Sequence, residues 1–304
     1  MRKNFLYIRD MPQDICTIQN FTGVYAEQPF MQGLRGRDGT RYIDCSDIPG
    51  TDCYCDDEAV EAIRKRIADA GITHARGIHF FDNGNYHYMS KIWTDMVQEP
   101  FSLVVFDHHP DMQEPRFGNI LSCGGWVKKV LEENKFVQSV TLIEVADHLA
   151  EEIPPHDKGM IIRESELYQI PGQARNDAIR IPDQARNDAI QIPDQARNDA
   201  IANTVQTSWR PWSRHLEPAS LYISIDKDAL STDYAATNWD QGSLSLEHMK
   251  AIIEALAQGH KIIGIDICGE RARDFAGDEH HSVQEADALN DRTNRKLTEF
   301  LRNL

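Results

Sequence analysis

The chain has 304 residues, with 32 basic residues against 48 acidic ones, for a formal charge of −16. That sign repels phosphate backbones and leaves no broad basic surface, so a nucleic-acid partner is excluded from the expectation. A composition 41% hydrophobic and 26% charged is that of a soluble globular protein with enough residues to bury a substantial core. No apolar run is long enough to span a bilayer, and "MRKNFLYIRDMPQD" has too short an apolar centre for a signal peptide. A cytoplasmic protein with six reduced cysteines and no membrane partner is expected.

In chain order, "NFLYIR" reads as a first buried strand, and "DDEAVEAIRKRIADAG" as a helix. Val60, Ile63 and Ile67 recur there at helical spacing behind acidic Asp56, Asp57 and Glu58, with Gly71 placed to stop it. "RGIHFF", "SLVVF", "SVTLIEV", "GMIIR", "LYISI" and "KIIGIDI" are further short runs rich in Val, Ile, Tyr and Phe, apolar on both faces as in a covered parallel sheet. "LSLEHMKAIIEALAQG" repeats the helical design with Ser245 as N-cap, and "SVQEADALNDRTNRKLTEFLRNL" reads as a long closing helix. The alternation predicts a three-layer α/β/α sandwich with a mostly parallel central sheet, one domain over 1–304. Three near-identical eleven-residue copies beginning at Ile170, Ile181 and Ile192 interrupt it. They are too short and polar to stack as a solenoid and read as a loop expanded by duplication, an insertion at 170–202.

Chemistry concentrates at strand ends. In "FSLVVFDHHPDMQ" an extended chain would point Asp107, His109 and Asp111 to one side, with His108 and Pro110 on the other. Asp226 and Asp228 in "LYISIDKDAL" repeat the i, i+2 pattern, and His87 follows "RGIHFF" through the Gly-containing loop of "FDNGNYHYMS". Four carboxylates and two imidazoles carry a formal −4, matching two divalent cations. Burying such carboxylates together without cations would force proton uptake. The ligand types suit Mn²⁺, with Zn²⁺ or Fe²⁺ also compatible, and two such ions activate water for hydrolysis.

The ordered motifs "GNYH", "DHHPD" and "SIDKD" resemble the arginase, or ureohydrolase, superfamily, which includes agmatinase and formiminoglutamase. The resemblance covers roughly residues 70 to 270 outside the repeat. It implies an arginase-like fold and two Mn²⁺, one held by His87, Asp107, Asp111 and Asp226, the other by Asp107, His109, Asp226 and Asp228. It further implies that Asp107 and Asp226 bridge, that Asp111 orients a metal-bridging hydroxide, and that a linear C–N bond of a guanidino or amidino compound is hydrolysed, in a homo-oligomer. A phosphoesterase family shares the letters DHHP, but places its DxD upstream, and only Arg116 stands nearby to hold phosphate. A deacetylase-like site would use a single Zn²⁺ and fewer carboxylates.

Three segments depart from the family pattern. "FGNILSCGGWVKKV" leaves Asn119 and Ser122 to touch substrate, but has Cys123 near the place of a proton-shuttling His. "LSTDYAATNWDQGSLS" offers Trp239 and Asp240 as a bulkier, more acidic pocket wall, although Trp239 could equally pack on the following helix. In "GIDICGE" the carboxylate that would read a cationic substrate is Glu270, one residue late, which reaches the pocket only if the backbone turns at Gly269. His280 and His281 are alternative proton shuttles if their loop folds over the metals. Cys53 and Cys55 read as partly buried free thiols, Cys268 as packing, and Cys123 as pocket lining. These departures also leave open a metal-binding member of the fold that acts by binding or regulation without catalysis.

Overall fold

The computed structural model describes residues 16–115, 117–167 and 220–304. The predicted strand "NFLYIR", Arg116 and the repeat at 170–202 lie outside the described residues. Among the described residues ten strands are present: β1 (Cys16–Asn20), β2 (Thr40–Asp44), β3 (Tyr54–Cys55), β4 (Ile78–Phe80), β5 (Phe101–Phe106), β6 (Leu121–Ser122), β7 (Val137–Val145), β8 (Gly159–Arg163), β9 (Ser220–Asp226) and β10 (Lys261–Cys268). Eight form one sheet in the order β2-β1-β4-β10-β9-β5-β7-β8, and each neighbouring pair is parallel. β3 and β6 make a separate two-residue antiparallel ribbon.

Among the described residues, eight α-helices accompany the sheet: α1 (Pro29–Arg35), α2 (Asp57–Asp69), α3 (Met89–Thr94), α4 (Trp126–Glu133), α5 (Asp147–Ala150), α6 (Glu164–Leu167), α7 (Leu246–Ala257) and α8 (Val283–Arg302). Their N-termini are closed where the sequence carries a capping side chain. Asp56 accepts from Ala59 N, Ser245 from His248 N, and Ser282 forms a capping box with Glu285.

Strand alternation sends neighbouring side chains into two separate cores. Leu103, Val105, Leu142 and Tyr222 pack with α2, α3 and α4. Val104, Phe106, Ile143, Ile223 and Ile225 pack with α1, α7 and α8 on the other face. The result is the expected three-layer sandwich. β1 and β2 were not legible as strands, because "CTIQN" and "TRYID" are half polar. β1 is buried along its whole length, and Gln19 is accommodated by accepting from Trp93 Nε1 at 2.8 Å. No helix among the described residues is long and apolar enough to cross a membrane.

Candidate metal centre

β4, β10, β9 and β5 are consecutive in the middle of the sheet, and their carboxyl ends carry the titratable cluster. Phe106 pairs with Ile225, so the residues that follow, Asp107 and Asp226, stand side by side. Each closes a local turn: Asp107 Oδ1 accepts from His109 N at 2.6 Å, and Asp226 Oδ1 accepts from Asp228 N at 3.0 Å. The strands therefore stop here, and the side chains beyond converge through turns rather than along an extended chain. Asp228 lies in a 3-10 turn, and Asp111 adopts a left-handed φ of 49°. Asp228 accepts from His109 Nδ1 at 2.9 Å through one oxygen and from His108 N at 3.1 Å through the other. His108 thus serves the cluster through its backbone. Trp126 Nε1 donates to Asp111 Oδ2 at 2.7 Å and fixes that carboxylate.

His87 arrives from the opposite side, after β4 and a 3-10 turn over Gly84–Tyr86. Its Nε2 meets Ser224 Oγ at 2.8 Å, and that hydroxyl also meets Ser90 Oγ at 2.8 Å, which sets the ring's direction. Its Nδ1 then lies 3.0 Å from Asp107 Oδ2, 3.0 Å from Asp111 Oδ2 and 3.6 Å from Asp226 Oδ2. Although buried, Nδ1 has no in-line hydrogen-bond partner. It points among the carboxylates rather than at one of them, the arrangement of a ligand set around a cation. Donor atoms fall into overlapping groups, His87/Asp107/Asp111 and Asp107/His109/Asp228, with Asp107 common to both. Buried carboxylates and imidazoles gathered in this way are a donor set that fits divalent cations.

The electrostatics agree. Burial, then the charge of Asp107, pushes Asp111 up to about 7. Burial, with the charges of Asp107 and Asp226, holds Asp228 well above the usual carboxylate range. Burial pushes His109 downward, but its hydrogen bonds to Asp107 and Asp228 prevail and raise it to about 12. His87 behaves likewise, burial being overcome by Asp107 and Asp111. For Asp107 burial acts upward, yet the neighbouring imidazoles of His109 and His87 hold it below the ordinary range. Without cations the cluster balances its carboxylates with protons, and two divalent ions would replace them.

Other predicted residues are placed as follows. Trp239 stands at the cluster, 44% exposed, its ring edge-on to His109 at 5.8 Å and its Nε1 donating to Asn85 Oδ1 at 3.1 Å. Asp240 is exposed beside it. Cys123 faces Cys53 beside the β3–β6 ribbon, with its N–H on Cys53 O at 2.9 Å, and the Cys53 thiol together with burial holds the Cys123 thiol well above its usual range. Ser122, in β6, is partly buried. Asn119 is exposed and accepts from Lys129 Nζ at 2.7 Å. All six cysteines are free, with Cys55 in the core.

Glu270 is not brought into the cluster. The backbone does turn at Gly269, whose φ is 87°, but the side chain goes into the interior. One carboxylate oxygen accepts from Lys227 Nζ and Asn294 Nδ2, the other from Gln28 Nε2 at 2.7 Å. Both oxygens are committed, and the residue is 1% exposed. The reason is Lys227: lying between Asp226 and Asp228, it is turned away from them into the sheet interior and needs a buried counter-charge. His280 and His281 cap a turn, both backbone N–H groups donating to Asp278 Oδ1, and neither joins the cluster.

Sequence reasoning missed Ser224, Trp126 and the contact of Cys268 with Asp226 Oδ2, at 3.2 Å. Ser224 was within reach, since it precedes Asp226 by two residues and shares its strand face.

Fold and site together define an α/β/α sandwich with an acidic, imidazole-containing cluster at the carboxyl ends of its central strands. The chain belongs to the arginase family, whose model matches residues 12–270. An uncharacterized protein of Thermotoga maritima is 25% identical over 253 residues, 83% of this chain and 78% of the relative. The agmatine ureohydrolase of Thermoplasma volcanium superposes with a TM-score of 0.58 at 13% identity, covering 95% of this chain and 89% of that one. The formiminoglutamase of Trypanosoma cruzi with Mn²⁺ superposes with a TM-score of 0.55 at 11% identity, covering 98% and 95%.

Proposed function

We propose that the chain is a dinuclear metal hydrolase acting on a linear C–N bond of a small, cationic guanidino or amidino compound. The observation that carries this reading is the pair of ligand groups sharing Asp107, with the buried Nδ1 of His87 aimed between carboxylates. His87, Asp107, Asp111 and Asp226 would hold one Mn²⁺, and Asp107, His109, Asp226 and Asp228 the other. When bound, the two ions supply a nucleophilic water at neutral pH and polarise the substrate.

The protein's own part is positioning. Asp111, held by Trp126, orients the attacking water through its carboxylate, and Trp239 forms a wall beside His109. Asp240, Ser122 and Cys123 are assigned to the part of the substrate that is not cleaved. The formiminoglutamase named above is described with Mn²⁺, and an Entamoeba histolytica arginase of the same fold is described with L-ornithine, which supports a small amino compound as ligand. A cytoplasmic homo-oligomer is part of the same reading.

A second reading, metal binding without catalysis, is favoured by one observation: Glu270 is buried and tied to Lys227 and Asn294. Incubating the Mn²⁺-loaded protein with guanidino acids, agmatine and formimino compounds separates the two. Release of urea, ammonia or amine supports the hydrolase, and silence across the panel with both metals bound supports the second reading.

A further inference from the structure

We propose that Cys268 is a sulfur ligand in the His87 half of the centre, which makes the two halves chemically unlike: both accept Mn²⁺ when it is the only cation, but where cations compete the His87 half prefers a thiolate-seeking ion such as Zn²⁺ or Co²⁺ and the other half keeps Mn²⁺. The inference rests on reading the cluster as a metal centre and adds a ligand and a metal preference to it.

Cys268 ends β10 in register with Asp226 on β9, and its side chain is 1% exposed. Its Sγ lies 3.2 Å from Asp226 Oδ2, the same oxygen that lies 3.6 Å from His87 Nδ1. One donor atom each of His87, Asp226 and Cys268 falls within 4.8 Å of the others, and all three residues are buried. A second observation marks this spot as a ligand position: His87 Nδ1, fully enclosed, has no in-line partner there. The other half, Asp107, His109 and Asp228, contains no sulfur.

Backbone geometry keeps the thiol in place. Asp226 is held between Cys268 on Oδ2 and Asp228 N on Oδ1. Gly269, with its φ of 87°, lets the chain pass so close that a Cβ there would sit 2.4 Å from Asp226 Oδ1. Thiolates select Zn²⁺, Co²⁺ and other borderline-soft ions, whereas oxygen-rich sites select Mn²⁺. Ligation breaks the S–H bond, forms a sulfur–metal bond and passes the proton to solvent.

The test uses the full chain, stripped with a chelator and reloaded with Co²⁺. The wild type should show visible ligand-field bands together with a near-ultraviolet thiolate-to-cobalt charge-transfer band. Cys268→Ser should keep the visible bands and lose the charge-transfer band, while Cys123→Ser, Cys53→Ser and Cys55→Ser keep both. Dialysis against equimolar Mn²⁺ and Zn²⁺ provides a second readout. The wild type should retain one Zn²⁺ per chain, and Cys268→Ser should lose that preference by about tenfold or more. Visible bands without charge transfer in the wild type, or charge transfer that survives Cys268→Ser, would overturn the sulfur ligand and leave the metal centre standing. Failure of the wild type to bind Co²⁺ at all would overturn both.

Discussion

Asp107 and Asp226 end adjacent parallel strands and use the same device: each gives Oδ1 to a backbone N–H two residues on and turns Oδ2 toward His87. Locking one oxygen fixes the direction of the other, so the second oxygens are preorganised for a cation. Their equivalence makes a prediction about stoichiometry. Asp107→Asn and Asp226→Asn should each lower bound Mn²⁺ from about two per chain to less than one, because each is proposed to touch both ions. Asp228→Asn should remove one. Metal analysis after dialysis reads this directly, and a loss of one ion in all three variants would refute bridging.

The metal-free protein should lose stability as pH rises. Asp111 and Asp228 have folded-state values above the unfolded carboxylate value, so the folded state holds more protons, and stability falls once pH passes about 4. For Asp111 the fall extends to about 7. His87 and His109 are raised as well, and their contribution, complete below about 6.5, is lost as pH rises toward their folded values, about 12 for His109. Asp107 is lowered and contributes its full share throughout this range. Urea unfolding in chelator at pH 5, 7 and 9 should show decreasing midpoints, and Mn²⁺ should flatten the trend. Binding at pH 7 should release about two protons or more, visible as a buffer-dependent heat in titration calorimetry.

Among the described residues the fold's layers were legible because six apolar runs and three capped amphipathic helices obey simple periodicities. β1 and β2 were not, since a buried Gln19 is explained only by a partner far along the chain, Trp93. Extended-strand reasoning selected Asp107, His109 and Asp111 as neighbours, and the structure gathers them, but by an Asx turn and a left-handed Asp111. Glu270 shows the limit of such reasoning. Its direction is set by Lys227, Asn294 and Gln28, residues 43, 24 and 242 positions away, and no local pattern records that demand.

Glu270 should therefore behave as a structural residue. Glu270→Ala leaves Lys227 buried without its counter-charge and should cost about 3–5 kcal/mol, measured by denaturant unfolding. Wild-type stability with a raised KM for a cationic substrate would instead place Glu270 in substrate recognition.

Gly269→Ala should destabilise both fold and site. The new Cβ would meet Asp226 Oδ1 at 2.4 Å and Lys227 N at 2.6 Å in a left-handed backbone, which costs about 1–3 kcal/mol for the conformation alone. Unfolding midpoints and Mn²⁺ content should fall together, and unchanged metal content would contradict the proposed role of this turn.

Trp239→Ala should leave Mn²⁺ content unchanged, because the indole lies beside His109 and donates to Asn85, not to the carboxylates. Its effect should appear as a change of about tenfold or more in kcat/KM among substrates of different bulk, measured across the same panel. An equal effect on every substrate would make it packing alone.

The most direct test is anomalous diffraction at the manganese edge from crystals equilibrated with Mn²⁺. Two peaks are predicted, one against His87 and Asp111 and the other against His109 and Asp228, with the carboxylates of Asp107 and Asp226 in contact with both. A single peak, or manganese bound away from Asp107 and Asp226, would contradict the dinuclear centre.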